Sequence, residues 1–309
     1  QNIKQTWKVR LNGRDLGTLH RDENDIVAYF AVPPGALVEG ENTLVVEQTG
    51  DVPDDIRVGA VCLDSRPLDA VLSEARVTIQ IADRDTGEPL PGRITVVNSE
   101  GTLQTIGAES TDTMAVRPGV IYCDGQASFK LPAGEYTFFA GRGFEYGVSR
   151  QRIALERGGD HALQAEIGRE VPTEGWIACD THVHTLTHSG HGDATIGERM
   201  LTLAGEGIEL PIATDHNVHV DYEPVARRLG LRTYFTPVIG NEVTTKVGHF
   251  NVFPVAAGAP PPDHRLTEWE AIFESIHATP GVKVCILNHA RDIHSGVRPF
   301  GPKLHNALA

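Results

Sequence analysis

Four short apolar runs in the second half of this chain end abruptly on residue types that bind metals, and this limits the possible folds more than any other feature. The run at 176–179 leads into Asp180, His182 and His184. The run at 208–214 leads into Asp215, His216 and Asn217, that at 233–239 into Gly240, Asn241 and Glu242, and that at 282–287 into Asn288 and His289. Runs this short, apolar throughout, read as strands covered on both faces, the pattern of parallel sheets. In parallel β/α folds the carboxyl ends of the strands share one face and carry the active site. The four polar sets are therefore expected to meet at one centre.

Helical patterns lie between these runs. Thr195-x-x-Glu198 is a capping-box signature, followed by Ile196, Met200 and Leu203 on one face and by Gly207 as a stop, which predicts a helix over 194–206. A second helix is predicted over 267–278 from Thr267-x-x-Glu270 and the stripe Trp269, Ile272, Phe273, Ile276. From residue 171 the chain thus reads as a β/α barrel or layered α/β domain, and 12 of its 14 histidines lie from residue 182 onward.

The first half has a different period. Alternation in Trp7–Leu11, the Asn12-Gly13 turn and the run Leu44-Val45-Val46 predict short antiparallel strands over 1–68. Segments such as ARVTIQIAD, GRITVVN and GEYTFFAGRG, separated by Gly/Pro turns, predict a β-sandwich over 69–170. The first stretch resembles part of a jelly-roll sugar-binding module, and the second a carboxypeptidase-regulatory-like domain. Neither clusters titratable groups, so both read as structural or weak binding modules, with glycan contact through the N-terminal sandwich as the expectation that the first resemblance implies.

A length of 309 residues predicts two or three domains, and 40% apolar with 22% charged residues is ample for packed cores. No apolar stretch is long enough to predict a membrane span. The formal charge of −14 repels phosphate backbones and argues against nucleic acid as a partner, leaving a small-molecule substrate as the expected one. Cys62, Cys123, Cys179 and Cys285 are widely spaced and predict neither a zinc ribbon nor a disulfide scaffold. The opening at Gln1 and the closing stretch PFGPKLHNALA both read as cut ends, so the chain is expected to be a fragment.

In a strand, residues two apart point the same way, so His182 and His184 can offer both rings to one centre while Val183 packs behind. A lone histidine is more often a satisfied core or surface residue; the joint pattern reverses that expectation. Nitrogen donors with a carboxylate suit zinc, manganese or iron better than calcium or magnesium. Glu242, just past its strand, is placed to bridge two ions. Asp180 and Asp215 stand beside ligands and are expected to orient imidazoles, with Asp215 also a candidate for proton transfer. Arg291 is a candidate for holding an anionic substrate group.

The stretches DTHVHT, TDHN, GNEVTT…GHFNVF and NHAR resemble successive motifs of the polymerase and histidinol phosphatase (PHP) superfamily, in its carbaryl-hydrolase-like CehA/McbA branch, over about residues 175–309. The resemblance implies a distorted β/α barrel, here partial, behind the two sandwich modules. It implies two to three divalent ions held by His182, His184, His216, Glu242 as bridging carboxylate, His249 and His289. Where the family carries an aspartate in an SDG triplet, this chain reads Ser189-Gly190-His191-Gly192, which makes His191 the substitute ligand and leaves His188 as a pocket or surface residue. The family's late Ser-Asp-x-His-type motif has no counterpart before Ala309.

The implied activity is metal-dependent hydrolysis of an ester, phosphoester, carbamate or amide. Two alternatives stay open. An amidohydrolase-type barrel also uses HxH but needs a carbamylated lysine at a strand end, and Lys246 and Lys283 are the nearby lysines. An exported surface- or glycan-binding protein with an incomplete metal barrel would retain sugars without turnover; sandwich modules ahead of a barrel favour export, periplasmic or extracellular, by analogy alone.

Overall fold

The computed structural model describes residues 5–50 and 52–290. It is mostly β-structure arranged in several sheets, and it divides into two compact units. The first comprises residues up to Ser110 with Val116–Gly141 and Val148–Gly168; the second comprises Thr111–Ala115, Arg142–Gly147 and everything from Arg169 onward.

The first unit opens with β1 (Trp7–Leu11), β2 (Arg14–Thr18), β3 (Ile26–Val27) and β4 (Leu44–Gln48). β1 pairs antiparallel with both β2 and β4, turning at Asn12 and Gly13, whose positive φ of 49° and 78° suits these residue types. A short helix, α1 (Leu68–Leu72), precedes β5 (Ala75–Asp83), β6 (Gly92–Asn98), β7 (Leu103–Gln104), β8 (Met114–Arg117), β9 (Val120–Cys123), β10 (Gln126–Leu131), β11 (Gly134–Gly141), β12 (Ser149–Leu155) and β13 (Asp160–Ile167). One sheet runs β10-β5-β13 and another β12-β11-β6-β7-β3, with β9 also on β6.

Strict alternation in β5 buries Ala75, Val77, Ile79 and Ile81 on one side, and Ile94 and Val96 of β6 are buried likewise. The rings of Phe129 on β10 and Phe138 on β11, strands of different sheets, lie 6.4 Å apart, so the two sheets share one core. Residues 126–141 send β10 to one sheet and β11 to the other. β3 pairs parallel with β7, so the stretch 1–68 contributes a strand to the sheet built by the following segment.

In the second unit, β14 (Cys179–Val183), β15 (Leu210–Ala213) and β16 (Val238–Ile239) form a parallel sheet. The helices α2 (Leu186–Ser189) and α3 (Ile196–Gly205) lie between the first two strands, and α4 (Glu223–Arg228) precedes the third. The capping box at α3 forms as the sequence predicts, with Thr195 and Glu198 each bonding the other's backbone. The predicted strand over 233–239 is reduced to its last two residues.

The chain then changes sheet. β17 (Asn241–Thr244), β18 (His249–Phe253) and β19 (Val284–Leu287) are antiparallel, with β18 central. The expectation that 282–287 runs as a buried parallel strand is therefore corrected. The reversal comes from Thr245, whose Oγ1 accepts from the backbone N–H of Val247 and Gly248 and donates to Gly248 O, closing a tight turn and returning β18 beside β17. The transition between sheets passes through Gly240, where a Cβ would stand 2.8 Å from Ile212 Cγ2 and about 3 Å from the carbonyls of Ala213 and Val252.

One face of the β17–β18 pair packs on α5 (Trp269–Ala278). Val243, Phe250, Val252, Trp269, Ile272 and Ile276 form the core there, with Phe250 edge-on to Trp269 at 5.6 Å and to Phe273 at 5.4 Å. The predicted Thr267 cap for this helix does not form: Glu268 takes the cap position in an extended conformation, one residue later, without a side-chain cap bond. Among the described residues no helix is long and apolar enough to cross a membrane.

Phe250→Ala should destabilise the second unit by ~3–5 kcal/mol, the usual cost of emptying an aromatic core site, read as a lower urea midpoint.

Candidate metal centre

The face of β17 and β18 opposite α5 carries the centre. Alternation places Glu242 and Thr244 on this face with His249 and Asn251, because Glu242 pairs with Asn251 and Thr244 with His249. Asn241, grouped with these polar residues in the sequence, falls on the other face with Val243, and its buried amide has no hydrogen-bond partner among the described residues. The parallel sheet supplies the rest. A parallel bridge between His216 and Glu242 joins the end of β15 to β17, and His182 and His184 leave the end of β14.

Glu242 is fully buried and its two oxygens face different rings. Oε2 lies 3.3 Å from His182 Nε2, 3.0 Å from His184 Nε2 and 3.1 Å from His216 Nδ1. Oε1 lies 3.2 Å from His249 Nδ1, 3.3 Å from His289 Nε2 and 3.1 Å from Asn288 Nδ2. His191, exposed, approaches from α2's end with Nε2 2.6 Å from His216 Nε2. All seven residues expected as ligands are thus gathered, in three groups: His184, His191 and His216; His182, His184 and Glu242; and Glu242, His249 and His289.

Burial alone would raise the Glu242 carboxyl, but the polar groups of His182, His184, His249 and Asn288 set against it outweigh that and hold it well below the usual carboxylate range. Burial lowers the His216 ring to about 4, against the opposing pull of Glu242, so at neutral pH this ring is uncharged, the form that binds a metal.

The donor arrangement fits divalent cations. Two facing Nε2 atoms at 2.6 Å can share one proton at most. His249 Nδ1 is buried beside Glu242 Oε1 yet lacks hydrogen-bond geometry to any partner. One carboxylate cannot satisfy five imidazoles and an amide on its own, whereas divalent cations held by these donors would. His182 and His184 with Glu242 would hold one ion, His249 and His289 with Glu242 a second, and His184, His191 and His216 form a further set of donors.

Asp215 departs from its expected place. It is fully buried and touches no histidine ring; Oδ1 accepts from Thr185 N at 2.8 Å, Thr185 Oγ1 at 2.9 Å and Ser189 Oγ at 2.7 Å, and Oδ2 accepts from Tyr222 Oη at 2.8 Å. With four donors it organises the loops rather than facing the centre. Burial, with the Asp215 charge beside it, pushes the Tyr222 phenol far up, so it remains a donor. Asp180 likewise bonds backbone, accepting from His182 N at 3.0 Å. His188 is exposed, Lys246 is exposed in the turn between β17 and β18, and Arg291 lies outside the described residues.

The sequence reading missed Ser189, Thr244, Asn251 and Tyr222. The signal for Thr244 was its two-residue spacing from Glu242, and for Asn251 the register of the hairpin. Asn251 ties Asn288 to β14, accepting from Asn288 Nδ2 at 2.6 Å and donating to Thr181 O at 2.7 Å. Asn217, at a φ of 56°, and His289, at 24°, hold left-handed backbone next to the cluster, conformations tolerated where surroundings fix them.

No family model and no curated protein matches the chain. Among solved structures it is similar to the group B streptococcus pilus 2b backbone protein, at 13% identity over 55% of this chain and 81% of that one, with a TM-score of 0.25. At that score the likeness bears on neither fold nor function.

His216 binds its proton more weakly when folded, so the metal-free protein should gain stability as pH rises from about 4 to the ordinary histidine value of 6.5. Thermal midpoints across that window should show the slope, and His216→Asn should flatten it.

Proposed function

We propose that the chain is a metal-dependent hydrolase, acting on an ester, phosphoester, carbamate or amide, and that its second unit is a partial PHP-type β/α barrel. The observation that carries this reading is the buried Glu242 carboxylate, whose two oxygens divide five imidazoles into two sets. Supporting the barrel reading, β14, β15 and β16 run parallel, and His182, His184 and His216 lie at the carboxyl ends of the first two.

Divalent zinc, manganese or iron bound here would supply Lewis acidity and a water ionised near neutral pH. The chain's own groups do the remainder. Glu242 fixes the separation of the two ligand sets, because one rigid carboxylate serves both. Asn288 and Asn251 hold Glu242 Oε1 and the middle of β18 against β14. Asp215, through Ser189, Thr185 and Tyr222, keeps the loop after β14 closed on the loop after β15. Asp215, buried and already holding four donors, is not placed to carry a proton between the centre and solvent.

Metal analysis of the purified protein should find about one or more zinc, manganese or iron per chain, and Glu242→Gln and His182→Ala/His184→Ala should lose it, by more than the ~10–100-fold typical of residues that only support ligands. Hydrolysis of aryl ester and phosphoester probes should follow metal content. A Glu242→Gln protein with undiminished metal content would overturn the assignment.

A further inference from the structure

Two hydroxyls sit behind two of the histidines, and each has only one proton to give. Ser189 Oγ is 2.7 Å from Asp215 Oδ1, and an ionised carboxylate only accepts, so the serine proton is committed there. Its oxygen is then an acceptor, for His216 N–H at 3.3 Å and for His184 Nδ1 at 3.2 Å. Glu242 Oε2, 3.0 Å from His184 Nε2, has His182 Nε2 and His216 Nδ1 as other donors, whereas Ser189 Oγ can only accept from His184 Nδ1; in a neutral ring this places the hydrogen of His184 on Nδ1 and leaves Nε2 with a lone pair.

Thr244 repeats the device from the other sheet. Its Oγ1 donates to the Glu242 carbonyl oxygen at 3.2 Å and lies 2.6 Å from His216 Nδ1. The same Nδ1 faces Glu242 Oε2 at 3.1 Å, a second acceptor that calls for hydrogen on that nitrogen. His216 Nε2 is then the lone-pair end, and it points at His191.

We propose that Ser189 and Thr244 are positioning residues that lock His184 and His216 in the Nδ1–H tautomer, so that Nε2 of each stands ready as a metal ligand before any ion arrives. The proposal rests on the metal-centre reading above. Ligating histidines usually donate to a carboxylate or a backbone carbonyl; here neutral hydroxyls take that place, and the charge of Asp215 reaches His184 only through Ser189. Because Ser189 also accepts from the backbone of His216, one side chain sets a ring from the first strand end and the main chain of the second.

The test is long-range proton–nitrogen NMR of the metal-free, 15N-labelled protein at about pH 8, above the ordinary histidine range, beside zinc affinity from chelator competition. Wild type should show protonated Nδ1 and bare Nε2 for both rings. Ser189→Ala should release the His184 tautomer and Thr244→Val that of His216, each weakening zinc by ~10-fold, while Thr244→Ser keeps both wild-type values. Should Ser189→Ala fail to fold for want of its bond to Asp215, Thr244→Val, a near-isosteric change, decides alone. Unchanged tautomers and unchanged zinc affinity in Thr244→Val, or Nε2–H rings in wild type, would overturn the lock. A wild type with these tautomers that takes up no zinc would overturn the metal reading instead.

Discussion

A carboxylate with no exposed surface, surrounded by ring nitrogens, is the constraint on which the second unit depends. Removing an ionised Glu242 from water costs several kcal/mol unless its lone pairs are met. The chain meets them from every direction: one ring from the end of β14 and one from the loop after it, one from the loop after β15, one from β18, and one ring and an amide from just after β19. The antiparallel sheet and α5 form one side of this arrangement, with Phe250 and Ile272 beneath the strand whose opposite face carries the acid. Packing and polarity are coupled by the two-residue period of β17: Val243 cannot enter its core unless Glu242 faces the rings.

The network behind the rings is organised by a second buried acid. Asp215 precedes His216 in sequence, yet its four hydrogen bonds go to the loop at 185–189 and to Tyr222. The two buried carboxylates therefore have separate tasks, one gathering ligands and one holding the loops that present them. Arg199 of α3 adds a bond from Nε to the carbonyl of His184 at 2.9 Å, so the helix after the loop also restrains the backbone of a ligand.

Much of this was readable from the sequence where the signal is local. The strand within the apolar run at 208–214, the alternation in residues 75–83 and the capping box at Thr195 depend on nearest neighbours, and each forms, whereas the run at 176–179 leaves Trp176 and Ile177 exposed and the strand there begins only at Cys179. What escaped depends on partners distant in sequence. The direction of residues 284–287 is set by β18, which lies more than thirty residues earlier and was not seen as a strand; the crossing of β10 and β11 between sheets is set by the edges they find. Ser189 and Thr244 were invisible for a related reason: a hydroxyl acquires its role only from what takes its proton, and that is three-dimensional information.

Gly240 gives the arrangement a dimension. It stands where the parallel sheet hands over to the antiparallel one, with its N–H on Ala213 O at 3.1 Å and no room for a methyl group. The rings of His182 and His184 belong to one side of that seam and His249 and His289 to the other, so the spacing of the two halves is measured by the thickness of a bare backbone. A seam of that kind works like a feeler gauge: a single added carbon would not distort any ligand, yet it would change the gap that all of them share.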